Sequence, residues 1–366
     1  MASPEIGRGV AHVFCAYEVG QLIDLDASER RVTSLTERAS FRHKRRAPRY
    51  FEYQPPPLRV LRPAEPVTVG GYRTDAQVDA VLFDFGAVSV TYTIPLAGLL
   101  AGLVDLSAEL YDHAGLLSDS RRHVVELVQL LGPAVSRPHV SSMVETYTIF
   151  QVLELTGGRS PAALREECAP LLAQILRAER QALSAQEVGD ALACELAFGA
   201  ADLTLIDADA TIVFDVDAED TIAVLEFANV DLLEMRFLDQ RLDDGLDHAY
   251  RAMSRRSWRP ALWPGAGGDD LQRIAQMQVD AALMFEAVNN ALKLVGDQFL
   301  ARVYRLASER FHLGDWDVSI LRKLETLESV YAKLSDVAAS RRVEVLEWIV
   351  IVLIALEIVL SVFRHG

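Results

Sequence analysis

The sequence predicts an α+β protein whose N-terminal half mixes strands with helices and whose C-terminal half is helical. Three observations lead to this class. In the first half, short β-rich apolar runs alternate with helical runs. In the second half, apolar residues recur at alternating gaps of three and four, as in packed helices. The chain then ends on an apolar run that has arginines on both sides.

The first half is predicted to contain the order strand, helix, hairpin, helix twice. The strands are expected at residues 10–17 and 143–155, and the hairpins at 80–94 and 203–217. Gly86 marks the turn of the first hairpin, and Pro95 is expected to end it. Ser160 followed by Pro161 is typical of a helix start. The order of elements suggests a duplication, although the two copies share no residue pattern.

The second half is predicted to be a long antiparallel helical hairpin. One helix is expected from 219 to 255, a linker at 258–268, and heptads from 271 to 306 that resume at Ile320. The chain is therefore divided into three parts. They are an α+β domain at 1–217, a helical or coiled-coil stalk at 218–340, and a C-terminal membrane-anchor helix at 341–366.

The C-terminal run, residues 345–363, is interrupted only by Glu347, Glu357 and Ser361. A helix of this length spans roughly 28 Å, against about 30 Å for a bilayer core. Its aliphatic residues favour insertion by roughly 6 kcal/mol, which exceeds the cost of about 3 kcal/mol for the central carboxylate. We therefore expect a membrane anchor; the alternative is a helix buried in a large oligomer.

The polar residues of this run lie on one helical stripe, which we call the tail stripe. Its members are Glu347, Val350, Ile354, Glu357, Ser361 and Arg364. A polar stripe on such a helix usually faces protein, because an unpaired carboxylate is costly in hydrocarbon. The tail stripe is therefore predicted to be an assembly surface, in which Arg364 could pair with Glu357.

Composition limits the possible functions. The net charge of −16 excludes nucleic-acid binding by overall electrostatics. Cys15, Cys168 and Cys194 are far apart, which argues against a disulfide framework and fits a reducing compartment. The first residues do not resemble a signal peptide. We therefore expect the protein at the cytoplasmic face of the inner membrane, held by its tail.

Two charged clusters are candidates for chemistry or binding. Asp239, Asp243, Asp244, Asp247 and His248 crowd one helix, and the spacing of four between Asp244 and His248 can hold a metal. An exposed acidic face is the simpler interpretation. The run Arg38–Arg49, with Arg42, Lys44, Arg45 and Arg46, precedes three aromatic residues and suits RNA or an anionic membrane. A solvated loop is the competing interpretation, and the same holds for the arginines at 251, 255, 256 and 259.

The C-terminal hundred residues resemble the YagE family, which includes the "required for meiotic nuclear division" and Sad1-interacting-factor proteins. The stretches that carry the resemblance are 293–304, 314–334 and 346–357, with a looser one at 81–92. The resemblance implies no enzymatic activity. It implies membrane association, oligomerisation and, for a mitochondrial member, support of translation. Glu347, Trp348 and Glu357 match the family's most specific stretch, which assigns them to assembly. The Ala- and Arg-rich composition is typical of a bacterial protein.

The sequence thus predicts a membrane-anchored, non-catalytic scaffold that forms homo-oligomers through its helical half. No catalytic, cofactor-binding or metal motif is recognised, and no small-molecule substrate is suggested. The first alternative is a metal-dependent enzyme, with its site in the α+β half or at Asp239–His248. The second is an RNA or ribosome tether through Arg38–Arg49.

Overall fold

The computed structural model describes residues 4–32, 36–38, 55–256, 276, 279 and 298–365. The chain groups into two compact units. The first comprises Met1–Phe237 and Glu286–Asp315, and the second comprises Leu238–Phe285 and Trp316–Gly366. Strands and helices are mixed along the first unit, which confirms the α+β class. The predicted domain limits after residues 217 and 340 stay predictions, and the linker at 258–268 lies outside the described residues.

One large sheet forms the first unit. Its strands are β1 (Glu5–Glu18), β3 (Thr36–Arg38), β4 (Leu58–Pro63), β7 (Gln77–Leu82), β8 (Ala87–Leu99), β10 (Glu145–Leu155), β11 (Glu195–Leu196), β12 (Leu203–Ile206) and β13 (Ala210–Phe214). Within the described residues they form nine strands in the order β11-β12-β13-β10-β1-β8-β7-β4-β3. Neighbours are antiparallel except β10 and β13, which are parallel. Two short pairs complete the strands, β2 (Leu22–Ile23) with β9 (Val135–Ser136) and β5 (Thr68–Val69) with β6 (Tyr72–Arg73).

The helices cover both faces of this sheet. They are α1 (Leu25–Arg31), α2 (Gly102–Leu110), α3 (Ala114–Leu131), α4 (Pro161–Glu167), α5 (Ala169–Leu176), α6 (Ala185–Ala191), α7 (Glu219–Arg256), α8 (Gln298–Arg310) and α9 (Leu313–His365). Helices α2, α3 and α5 join the apolar core on one face, and α8 and the first half of α7 join the core on the other. The predicted start at Ser160 is confirmed, since its hydroxyl accepts from the Ala163 backbone N–H at 3.2 Å.

Strand β1 lies at the centre of the sheet and is paired on both sides. Its ladder to β8 runs from Glu5 to Glu18, and its ladder to β10 runs from Ile6 to Ala16. Side chains alternate between the two cores, as the period of two requires. Tyr17 enters the core with α3, whereas Phe14 enters the core with α7 and α8. Both layers of helices therefore depend on this strand.

The two predicted hairpins are present, with one difference in their limits. The β7–β8 hairpin turns at Gly86, whose φ of +107° is open to glycine and rare for other residues. Strand β8 continues through Pro95 to Leu99 instead of ending. Its ladder to β7 stops at Tyr92, so a residue without an N–H is tolerated beyond that point. The second hairpin turns at residues 207–210, between the paired Ile206 and Thr211, and this is the turn that the sequence predicts at Asp207–Ala210.

The suggested duplication is matched in strand order but not in strand direction. Each central strand, β1 or β10, lies beside the second strand of a hairpin, and the first strand of that hairpin follows outward. However, β8 is antiparallel to β1, whereas β13 is parallel to β10. The duplication therefore stays a hypothesis about the order of elements.

The membrane anchor predicted at residues 341–366 is wrong. Among the residues that the structure describes, no helix combines the length and the apolar content that a bilayer crossing requires. The run forms the last part of α9, a helix of 53 residues. The stretch between Glu347 and Glu357 would cover only roughly 14 Å of a bilayer core of about 30 Å. A C-terminal membrane helix, a membrane partner and a tail-anchored location at the inner membrane are therefore withdrawn.

A buried ion network holds the turn of the second hairpin. The Asp207 side chain is only 1% exposed, and it accepts from Arg177 and Arg310. The Arg310 Nε lies 2.9 Å from Asp207 Oδ1, and the two arginines also contact Asp190 at the surface. The Asp207 carbonyl accepts from the Tyr147 hydroxyl at 2.9 Å. The network thus ties α8 to β10 and to the hairpin turn.

Replacing Asp207 by Asn should destabilise the first unit by about 3 to 5 kcal/mol, because two arginines would lose their buried countercharge. Urea unfolding followed by circular dichroism measures this cost. The matched control is Asp190→Asn, whose side chain is 56% exposed and contacts the same arginines. It should cost no more than about 1 kcal/mol. Equal costs for the two variants would show that burial of Asp207 is unimportant.

Gly86→Ala should destabilise the protein by about 2 to 5 kcal/mol, through backbone strain and overpacking. A Cβ there would lie 1.8 Å from the Gly20 carbonyl oxygen. Gly189→Ala in α6 is the control, because nothing lies within 4 Å of its added Cβ. That variant should gain about 0.5 to 1 kcal/mol, as expected for a helix interior. A tolerated alanine at 86 would contradict the described turn.

Candidate functional site

The tail stripe lies on the last part of α9, and its described side chains are exposed. Glu347, Val350 and Ile354 all face outward. The apolar residues at 350, 351, 353 and 354 are 53%, 53%, 57% and 51% exposed. Trp348, Glu357, Ser361 and Arg364 belong to the same helix, but their side chains lie outside the described residues. The predicted stripe thus presents an apolar surface where it is described.

The basic run predicted to contact anions, with Arg42, Lys44, Arg45 and Arg46, lies outside the described residues. The chain that precedes it is the edge strand β3, which pairs only with β4 in the described sheet. In the second arginine cluster, Arg251 is exposed and lies 3.1 Å from Asp247, which makes it an ordinary surface ion pair. The role of the run Arg38–Arg49 stays a prediction.

The acidic cluster on α7 is occupied by cations of the protein. Lys323 Nζ lies 2.7 Å from both Asp239 Oδ1 and Asp243 Oδ1. The His248 Nδ1 lies 3.1 Å from the Asp244 carbonyl oxygen. Within the described ranges, no group of three or more His, Cys, Asp or Glu is arranged to bind a metal. The geometry therefore favours an ion-paired helix surface over the metal site that the spacing suggested.

A second feature of α7 was missed by the sequence analysis. The first half of this helix buries Thr221 and four acidic or amide residues, Glu226, Asn229, Asp231 and Glu234; we call the latter four the acid face of α7, and they are 4%, 1%, 1% and 2% exposed. They follow one another at gaps of three, two and three with apolar residues between them. Acidic residues are seldom fully buried, so the pattern was not distinguishable from a solvated face.

Asp231 and Asn229 of the acid face are hydrogen-bonded to partners elsewhere in the first unit. The Tyr304 hydroxyl donates to Asp231 Oδ2 at 2.5 Å. The Asn229 amide donates to the Glu145 carbonyl at 3.4 Å, and Arg236 pairs with the Glu145 carboxylate. Burial raises the pKa of Glu145, although Arg236 opposes this shift. These contacts fix α7 against β10 and α8.

Glu226 differs from the other residues of the acid face, because the nearest partners of its carboxylate are hydroxyl groups. The Thr91 hydroxyl donates to Glu226 Oε1 at 3.2 Å from strand β8. Burial raises the pKa of Glu226 to about 7, and the negative charge of Asp79 adds to the shift. Hydrogen bonding by Ser89 and Thr91 and the charge of Arg59 oppose it. Arg59 is already paired with Asp79 at 2.9 Å, so it neutralises Glu226 only in part.

Polar side chains continue from Glu226 across the same face of the sheet. Asp79 lies opposite Thr91, and His12 lies opposite Thr93 on the next ladder. The His12 Nε2 is 3.3 Å from Gln151 Oε1, and burial lowers the pKa of His12. This row holds a carboxyl whose pKa burial raises to about 7 and an imidazole whose pKa burial lowers. Such groups are typical of proton transfer or of ligand recognition.

A cavity of about 250 Å³ opens at the start of β10. Glu145, Asp209 and Arg236 line it together with Thr146 and Thr148. Burial raises the pKa of Asp209, and the nearby Asp207 adds to this shift. The arginine of this cavity is already paired with Glu145, so it is not a free cation for an anionic ligand.

The fold and these sites define a mixed α+β protein with a charged helix face buried on its sheet. The model of the family described as the N-terminal domain of the uncharacterized protein MJ0711 matches residues 8–221. The chain belongs to this family. The uncharacterized protein MJ0711 of Methanocaldococcus jannaschii is 21% identical over 232 residues, which cover 62% of this chain and 68% of that protein. No solved structure matches the chain significantly.

The resemblance to the YagE family is wrong. The family match covers the α+β part of the chain, whereas the most specific YagE-like stretches lie beyond it at 293–357. Those stretches fall largely on α8 and α9, and helices with regularly spaced leucines resemble one another across unrelated proteins. The expected bacterial origin is contradicted as well, since the relative is archaeal.

Glu226→Gln should flatten the pH dependence of folding stability between about pH 4.5 and 7. In this range the folded protein keeps a proton that the unfolded chain, with a Glu pKa near 4.5, has already released. Stability of the parent protein therefore falls as pH rises through this range. A shift from 4.5 to about 7 corresponds to about 3 kcal/mol at pH 8.

Urea unfolding at pH 5 and pH 8 tests this expectation. The difference in unfolding free energy between the two pH values should be smaller in Glu226→Gln by up to about 3 kcal/mol. Glu166→Gln, at an exposed position of α4, should follow the parent protein. Parallel pH profiles for all three proteins would show that Glu226 titrates normally.

Proposed function

We propose that the protein is a non-catalytic scaffold that self-associates through the tail stripe of α9. The observation that supports this proposal is the exposure of four apolar side chains, at 350, 351, 353 and 354, on one end of a long helix. Contiguous exposed apolar surface on a folded protein usually marks an interaction site. The proposal keeps the predicted assembly role and drops the membrane.

Burial of this surface would favour association. Fully burying a Val, Leu or Ile side chain contributes about 1.5 to 3 kcal/mol, so a half-exposed one can still contribute roughly 1 kcal/mol. Val350 and Ile354, the two exposed apolar side chains that belong to the tail stripe, would together contribute roughly 4 kcal/mol for a pair of helices, before the cost of association. The spacing of the tail stripe, with gaps of three and four from Glu347 to Arg364, is that of a coiled-coil seam.

The first part of α9 supports the same use of helical seams. The predicted heptad positions Ile320 and Leu327 are buried, and Leu324 and Tyr331 are half-buried. In the preceding helix the buried face is Phe299, Leu300, Val303 and Ala307, so the seam predicted through Arg302 and Leu306 is displaced. Ile320 is covered, whereas Val350 is exposed. The apolar surface at Ile320 is therefore an internal helix contact, and the apolar surface at Val350 is open to a partner.

A second candidate is a proton-transfer or ligand-binding role for the row around Glu226. It is favoured by one observation, a buried carboxyl hydrogen-bonded to Thr91 with a pKa of about 7. This candidate retains the predicted site in the α+β half but not the metal. If it holds, Glu226→Gln should abolish the activity or binding while the mass of the assembly stays unchanged.

Replacing both Val350 and Ile354 by Asp should convert the assembly to a monomer. Carboxylates at two seam positions would have to be buried without partners. Molar mass by sedimentation velocity over a range of concentrations measures this change. The matched control is Val318→Asp with Leu321→Asp, because these side chains are 66% and 47% exposed on the same helix but lie off the tail stripe. A parent protein that is monomeric at every concentration would overturn the proposal.

A further inference from the structure

The tail stripe has a symmetric spacing, and this spacing bears on the arrangement of two copies. From Glu347 the members follow at gaps of three, four, three, four and three, so the stripe reads with the same spacing in both directions. In heptad terms, residues 347, 354 and 361 occupy a positions and 350, 357 and 364 occupy d positions. The following argument rests on the proposed self-association.

The two possible orientations bring different residues together. In a parallel pair each position meets itself, so Glu347, Glu357 and Arg364 would each face the same residue of the second copy. Three layers would then contain like charges, which repel one another. In an antiparallel pair a positions face d positions. Glu347 then faces Arg364 of the second copy, and Val350 faces Ser361.

We infer that two copies of the chain pair antiparallel through the tail stripe, with Glu347 of one helix opposite Arg364 of the other. The pair has two such opposite-charge layers, one at each end. Ile354 lies opposite Glu357 near the centre, where no cation is placed. This register uses every member of the stripe, whereas a shift by one heptad in one direction would place Glu347 opposite Glu357, and in the other direction would place Arg364 opposite Ile354. Charge complementarity thus selects both the orientation and the register.

The described part of the surface agrees with this partner. Glu347, Val350 and Ile354 are all exposed, so they are available to a second copy. A polar residue at a core position often sets the register and orientation of a coiled coil at some cost in stability. Glu347 and Glu357 would have that role here, which explains why carboxylates occur in so apolar a run.

Cysteine crosslinking between two differently tagged copies tests the orientation. Val350→Cys is mixed with Ser361→Cys, and the mixture is oxidised under mild conditions. An antiparallel pair should give a linked product that contains one copy of each variant. Two copies of Val350→Cys should link no more than the background. The background level of crosslinking is measured on the parent protein, in which Cys15 and Cys194 are buried, and on the Cys168→Ser variant.

The outcomes separate this inference from the proposed function. Linked Val350→Cys pairs in a protein that still self-associates would overturn the antiparallel orientation and leave the scaffold. A parent protein that is monomeric at every concentration would overturn both. Exchanging the charges at residues 347 and 364 tests the proposed pairing independently of crosslinking. Glu347→Arg and Arg364→Glu should each weaken self-association roughly ten-fold or more, and the double variant should restore it. Unchanged association in both single variants would contradict the charge pairing.

Discussion

The two-sided pairing of β1 is the constraint on which the first unit depends. This strand is hydrogen-bonded to β8 on one side and to β10 on the other, over almost its whole length. Its side chains alternate into two cores, so α3 packs on one face and α7 and α8 on the other. Because β8 and β10 come from different parts of the chain, neither sheet half can form its core without β1. The family match begins at residue 8 and ends at 221, so it spans all strands of this sheet from β1 to β13.

Two buried carboxylates, Asp207 and Glu226, are compensated to different degrees by the charges around them. Asp207 is enclosed by two arginines, and this network holds the hairpin turn to α8. Glu226 is hydrogen-bonded by hydroxyls, and the charge of nearby Arg59 is shared with Asp79. A buried carboxylate with full ionic compensation is a structural element, whereas a partly compensated one holds a proton near neutrality. The first therefore contributes rigidity, and the second, on α7, is a buried group that responds to pH near neutrality.

The strand and helix pattern could be predicted because it depends on local periodicity. The hairpins at Gly86 and at 207–210, the helix start at Ser160 and the long helix from Glu219 all follow from short-range signals. The acid face of α7 could not be predicted, since burial of Glu226 depends on strands more than a hundred residues earlier. The membrane interpretation failed because hydropathy sums treat the run as one segment, although its two glutamates divide it. The family resemblance failed for a related reason, since regular helices carry little information about ancestry.

The exposed end of α9 connects the fold to the proposed function. Along α9, Ile320 and Leu327 are buried, whereas Val350 and Ile354, which lie on a different stripe of the same helix, are exposed. Self-association through this end explains both the apolar residues and the carboxylates between them. Amide hydrogen exchange across residues 345–363, compared between dilute and concentrated protein, tests this claim most directly. The account predicts slower exchange at high concentration in this segment, with unchanged exchange in β1. Exchange rates that are the same at all concentrations would contradict it.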